Sequence, residues 1–200
     1  MNLIGTEQDD FTFEFLKMKP LSQFNSEEFL NRKTGRPYTL VRGDSVAVDK
    51  ENVEKVRAIC NEPAVYGILF QPVFKGSPYS AEKAESFLNW AAKGWAERSH
   101  FVFLVLDASR EICGTVDIKS PELEGAEIGY WASEKHSGII TPAVGLLCEV
   151  ARRAGYKSLY AFVLATNTGS LRVLTNNTFQ VKERGVTHKD KICDLYRKVL

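Results

Sequence analysis

Between residues 126 and 166 the chain changes its repeat twice. AEIGYWA (126–132) alternates with the two-residue period of a strand. Val144, Leu147, Cys148 and Ala151 then follow helical spacing, and SLYAFVLAT (158–166) is a nearly continuous apolar run. A strand, a helix and a second strand in that order bury their apolar faces as a βαβ crossover, right-handed by the usual rule, whose second strand is covered on both faces. Thr141 and Pro142 read as N-cap and first-turn residue of the crossover helix, and Gly155 as its stop.

The segments around this unit predict a mixed architecture. FVFLVLDA (101–108) and ICGTVDIK (112–119) precede the first crossover strand with short turns between, which reads as an antiparallel meander. Upstream, Asp49 caps a helix with Val53, Val56 and Cys60 on one face. Ser80 caps another, from about 81 to 95, with a stripe at Ala84, Phe87, Leu88, Ala91 and Trp95. The stretch 63–80 between them, punctuated by Pro and Gly, reads as a long connection lining a site. YTLVRGDSVAV (38–48) reads as a strand, residues 169–176 as a short helix, and ICDLYRKVL as the end of a final hairpin.

The fold class expected is therefore α+β: a mixed, mostly antiparallel central sheet with one βαβ crossover and flanking helices. At 200 residues the chain fits one such domain, placed at 38–200. Residues 1–37 are expected as an N-terminal extension packed on it, since Phe11, Phe13, Phe15, Leu16 and Phe24 are too apolar for a solvated tail. Within that extension Ser26-Glu27-Glu28 reads as a helix opening, and Lys33 to Pro37 as a turn.

A net charge of +1 gives no electrostatic footprint for nucleic acid. No run approaches the roughly 20 apolar residues of a membrane span, and the acidic start MNLIGTEQDDFTF lacks a secretory signal's basic region, so a cytoplasmic address is expected. Cys60, Cys113, Cys148 and Cys193 stand far apart in apolar runs, without CxxC pairs or histidines at zinc spacing. They read as reduced, buried hydrophobes, and no metal is expected.

Chemistry enters at the loop before the crossover helix, Ser133 to Ile140, where a helix N-terminus offers free amides and the positive end of its dipole to a phosphate. That spacing alone is common. The residues around it are more specific: Glu127-Ile128-Gly129-Tyr130-Trp131, then Gly138 before Thr141-Pro142-Ala143, then Asn167-Thr168-Gly169-Ser170-Leu171-Arg172-Val173-Leu174 ending at Phe179. This pattern resembles the GCN5-related N-acetyltransferase (GNAT) superfamily, in particular the branch with the ribosomal-protein N-terminal alanine acetyltransferases.

The resemblance implies acetyl-CoA as co-substrate and a primary amine, a protein N-terminus or a small molecule, as acceptor, with no nucleic acid or membrane partner and a monomer or homodimer. It places the coenzyme pyrophosphate at Lys135, His136, Ser137, Gly138, Ile139, Ile140 and Thr141. The pantetheine arm falls along Tyr130, Trp131 and Ala132 with Asn167 and Ser170. Glu127 is implied as the base that takes the amine proton, and Ser170 as the group beside the departing thiolate, with His188 and Asp190 as reserve bases. The alternative for Glu127 is a strand-end glutamate paired with Lys119, and for Asn167 a helix cap. Three departures stand out. His136 and Ile140 occupy positions where the family has small residues, and Leu174 replaces a frequent tyrosine acid. These departures favour a second reading, a catalytically degenerate member that binds or scaffolds. His100 is expected to be structural, and Trp90 and Trp95 to be core.

Overall fold

A computed structural model describes residues 20–200. Phe11, Phe13, Phe15 and Leu16, expected to pack on the domain, lie outside the described residues. Phe24 lies within them and is buried edge-on against Phe103, the ring centroids 5.0 Å apart.

The elements, in chain order, are β1 (Ser26–Leu30), β2 (Pro37–Arg42), α1 (Lys50–Cys60), α2 (Ala81–Glu97), β3 (Phe101–Leu106), β4 (Ile112–Ile118), β5 (Ala126–Ala132), α3 (Ile140–Arg153), β6 (Ser158–Val163), α4 (Thr168–Asn176), β7 (Gln180–His188) and β8 (Lys191–Val199). The eight strands form one sheet in the order β1-β2-β3-β4-β5-β6-β8-β7. Every neighbouring pair is antiparallel except β5–β6, the parallel pair joined through α3. The α+β class and the crossover expected from the 126–166 pattern are both present.

Two apolar clusters, one on each face, hold the layers together. On one face Val144, Leu147, Cys148 and Ala151 of α3 pack on Phe103, Val116, Ile118 and Ile128. On the other, Val56, Ile59 and Cys60 of α1 and Ala84, Leu88 and Ala91 of α2 pack on Val102, Leu104 and Ile112. Leu88, Leu104 and Leu147 are among the largest fully buried side chains. Each such side chain contributes about 2–3 kcal/mol of transfer free energy. Asp49 and Ser80 cap α1 and α2, their side chains accepting from Asn52 N and Lys83 N.

Four local readings need correction. Ser26-Glu27-Glu28 does not open a helix but forms β1, because pairing with the edge of β2 satisfies its backbone and lets Phe29 stack on Tyr38. The strand placed at 38–48 ends at Arg42, where a turn at Gly43–Ser45 bends the chain. A Cβ on Gly43 would lie 2.9 Å from Val102 O and 3.0 Å from Ala91 Cβ, so only glycine lets α2 approach the sheet there. The 63–80 connection is largely helical, as short turns at Pro63–Val65, Tyr66–Phe70 and Gln71–Phe74. Phe70, Phe74 and Tyr79 gather there, and their mutual stacking orders a stretch whose Pro and Gly suggested a loop. Finally, α3 begins at Ile140 with Ile139 as N-cap and no side-chain cap, so Thr141 lies inside the first turn.

Candidate coenzyme and acyl-transfer site

The site follows from how β5 and β6 meet. Their parallel pairing covers only Ala126 with Leu159 and Glu127 with Tyr160. Beyond Glu127 the β6 side of β5 is unpaired, while its other side stays bonded to β4 through Ala132. The gap opens into a cleft of about 640 Å³, in the range of small-molecule and cofactor sites. One wall is Tyr130, Trp131 and Ala132 of β5. The other is Asn167 with Gly169, Ser170, Arg172 and Val173 of α4, and Ser137, Gly138, Ile140 and Thr141 line the cleft at the N-terminus of α3. Open strand edges bind extended chains by adding hydrogen bonds of the sheet kind, which suits an amide-bearing arm.

The N-terminus of α3 presents free amides beside the cleft, the arrangement that suits an anion. The amide of His136 is bonded to Ser133 O, that of Ser137 to Glu134 O and that of Ile139 to His136 O. The amides of Gly138, Ile140 and Thr141 have no partner among the described residues, and they sit at the positive end of the 14-residue helix α3. Two neighbours hold the loop in shape. Glu62 accepts from Ser133 Oγ at 2.7 Å and from Glu134 N at 2.6 Å, and Glu134 in turn accepts from Ala64 N at 2.7 Å. On the other flank Asn31 Nδ2 donates to Ser137 O at 3.2 Å. The free sheet edge and these amides fit a coenzyme with an extended amide arm and a pyrophosphate.

Of the residues expected at the pyrophosphate, Ser137, Gly138, Ile140 and Thr141 line the cleft. Ile139 is fully buried and belongs to the core under α3. Lys135 is exposed and lies outside the cleft lining. His136 borders the cleft, but its ring turns inward. Nδ1 lies 2.9 Å from Tyr38 Oη and Nε2 lies 3.5 Å from Cys113 Sγ, so the imidazole braces the loop from below. His136, Cys113 and Asp107 form the one group of three potential metal ligands among the described residues. Asp107 Oδ1 already accepts from Ser109 N and Glu111 N, and the Cys113 thiol donates to Glu111 O.

On the wall formed by α4, Asn167 is the N-cap, accepting from Ser170 N. Tyr130 Oη donates to Ser170 O across the cleft at 3.3 Å, and burial pushes its phenol up to about 12. Leu174 is fully buried in the core, so the position where many of the resembling enzymes carry an acidic tyrosine is closed to the cleft.

Glu127 stands at the fork itself. Its register opposite Lys119, with Gly129 opposite Asp117 and Trp131 opposite Thr115, puts Glu127, Gly129 and Trp131 on the face packed by α1 and α2. The Glu127 carboxylate pairs with Lys119, and His188 Nε2 lies 3.8 Å from its second oxygen. His188 is stacked on Phe162, ring centroids 3.9 Å apart, which fixes the imidazole plane. Asp117, next in the group, has a buried Oδ1 without a partner, and burial holds its carboxyl above the usual range. Asp190 is exposed in the β7–β8 turn at φ 61°. His100 is structural as expected, stacked on Trp90 and bonded to its carbonyl. Trp95 is core, whereas Trp90 is 41% exposed, since its ring covers His100 at the surface instead of entering the sheet interface.

Sequence reasoning missed several lining residues. Arg32 and Lys33 come from the β1–β2 turn and Arg172 from α4, whereas Ala64, Val65, Ile68 and Leu69 belong to the 63–80 stretch that was expected to line a site. Arg172 stood inside the most specific segment, and the basic pair stood in a turn with no partner to point to. Glu62 carried no signal, since its role depends on where Ser133 arrives.

Comparison with known proteins agrees with this geometry. Residues 46–180 match the family described as the acetyltransferase (GNAT) domain. No curated protein matches the sequence. Among solved structures, Mycobacterium smegmatis RimJ in complex with CoA-disulfide superposes with a TM-score of 0.72 at 16% identity, over 91% of this chain and 90% of that one. The ribosomal-protein-S5-alanine acetyltransferase from Vibrio fischeri gives 0.67 at 16%, over 88% and 97%. The microcin C7 self-immunity acetyltransferase MccE, in complex with acetyl-CoA and AMP, gives 0.65 at 18%, over 82% and 92%. At these identities the superpositions establish a shared fold, and the family match establishes descent. The chain belongs to the acetyltransferase (GNAT) domain family and is an acetyl-CoA-dependent N-acetyltransferase.

Proposed function

We propose that this chain transfers the acetyl group of acetyl-CoA to the α-amine of a protein N-terminus, with Glu127 as the base and Ser170 beside the departing sulfur. The observation that carries the reading is the position of Glu127, the last β5 residue paired to β6. It stands half-buried where the strands part, on the face packed by α1 and α2.

The co-substrate brings an activated thioester, and the chain's residues position it and move protons. The amine nitrogen bonds to the thioester carbonyl carbon, the carbon–sulfur bond breaks, the amine proton passes to Glu127, and the leaving thiolate takes a proton through the Ser170 hydroxyl, which regains one from water. Lys119 keeps the Glu127 carboxylate in place, and His188, held by Phe162, stands within reach to pass the proton outward.

The likeness to the V. fischeri enzyme, named for alanine on a ribosomal protein, supports a protein N-terminus as acceptor. The likeness to the self-immunity enzyme with AMP supports a second reading, a small-molecule amine. The deciding experiment follows coenzyme thiol release with peptides of varied first residue, the same peptides with blocked α-amines, and small amines. Mass spectrometry then locates the acetyl group. Turnover that survives α-amine blocking overturns the N-terminal reading. Coenzyme binding without turnover on any acceptor would establish the degenerate, scaffolding reading.

A further inference from the structure

We infer that the β1–β2 turn supplies half of the coenzyme's pyrophosphate site, with the Lys33 ammonium, seconded by Arg32, as its principal cation. The inference rests on acetyl-CoA occupying the β5–β6 cleft, and it concerns residues that lie before the family match at 46.

The turn is stitched to the phosphate loop. Asn31, 3% exposed, accepts from Lys33 N at 2.8 Å and Thr34 N at 3.2 Å, and donates to Ser137 O. Arg32 N donates to Gly138 O at 3.4 Å. Gly138 has φ +104°, and a Cβ there would lie 2.6 Å from Asn31 Oδ1 and 2.9 Å from Lys33 Cγ. The one glycine kept in the loop is therefore the residue on which the turn docks.

That docking delivers charge where the loop lacks it. His136 is committed to Tyr38 and Cys113, Lys135 lies outside the lining, and Pro142 has no amide to offer. Three free amides remain for a pyrophosphate. Lys33 Nζ stands 2.6 Å from Ser137 Oγ, a neutral partner, and forms no ion pair among the described residues. Arg32 and Arg172 are the other cations of the lining. The one carboxylate there, Glu134, is occupied by Ala64 N. An ammonium held next to free amides at a helix N-terminus is the arrangement a phosphate diester calls for.

The test measures binding by titration calorimetry, independent of turnover, for CoA, 3′-dephospho-CoA and pantetheine. Lys33→Ala is expected to weaken both nucleotides about tenfold, the scale of one charge-assisted hydrogen bond, and to leave pantetheine unchanged. Lys33→Arg should restore most of the loss. Lys33→Gln, which keeps a donor to Ser137 but no charge, should not. Unchanged affinity in Lys33→Ala, or rescue by Gln as complete as by Arg, overturns the inference. A loss confined to CoA moves Lys33 to the 3′-phosphate and overturns the pyrophosphate assignment. Failure of the parent chain to bind CoA would instead refute the coenzyme reading itself.

Discussion

Asn167 and Ser170 hold each other by two hydrogen bonds: Ser170 N donates to Asn167 Oδ1, and Asn167 Nδ2 donates to Ser170 Oγ, each at 3.0 Å. The first is an ordinary helix cap. The second fills an acceptor site of the hydroxyl and leaves its proton free to donate, on a residue that lines the cleft. Asn167 is thus both the cap that the sequence offered as its alternative and the group that aims Ser170.

Ser170→Ala should therefore keep the fold and coenzyme affinity while lowering kcat about 10²-fold, the lower end for a positioned proton donor. Ser170→Thr should retain most of the rate. Asn167→Ala should lower the melting temperature as well, since losing such a cap costs about 1 kcal/mol. An alanine variant at the parental rate would show that the thiolate takes its proton from water, which the buried Leu174 leaves as the remaining source.

The cysteines give a prediction of stability against pH. Burial first, then the Glu62 carboxylate, pushes the Cys60 thiol up to about 12. Burial first, then Asp107, does the same for Cys113, and burial brings Cys148 to about 11. The ordinary value is 9.0. Each folded-state pKa is raised, so the unfolded chain loses its thiol protons first. The stabilisation is complete below about 9 and is lost as pH rises from there toward 11 to 12. Urea midpoints should be level between about pH 7 and 8 and fall steeply above about 9, and the native thiols should resist alkylation at neutral pH. A flat midpoint through that range would mean that these thiols are not shielded as described.

How much of this was legible follows from where each signal resides. The crossover was readable because AEIGYWA, the Val144–Ala151 stripe and SLYAFVLAT each declare their own period, and α3 lies on the sheet by that stripe. Ser26-Glu27-Glu28 misled because a local cap signal is weaker than pairing with β2, which no short window contains. In the site, Gly138, Asn167 and Ser170 were visible as a pattern. The inward turn of His136 depends on Tyr38 and Cys113, which arrive from strands 98 and 23 residues away. Lys33 was hidden for the same reason, its partner Ser137 lying 104 residues on.

Glu127 has two possible roles, proton acceptor or strand-end partner of Lys119, and one substitution separates them. Glu127→Gln keeps the shape and a hydrogen bond to the ammonium but cannot take a proton at neutral pH. Its pair with Lys119 is partly solvated, with side-chain exposures of 17% and 33%, so removing the charge should alter stability by no more than about 1 kcal/mol. The rate should fall about 10²-fold or more at pH 7. The deficit should then narrow as pH approaches the acceptor's own pKa, about 8 for an α-amine and about 10.4 for a lysine, because an amine already neutral needs no base. The pH at which the two profiles converge would therefore report the acceptor class as well as the base. If the Gln variant matches the parent at every pH, Glu127 serves Lys119 alone, and His188, 3.8 Å away, becomes the residue to replace.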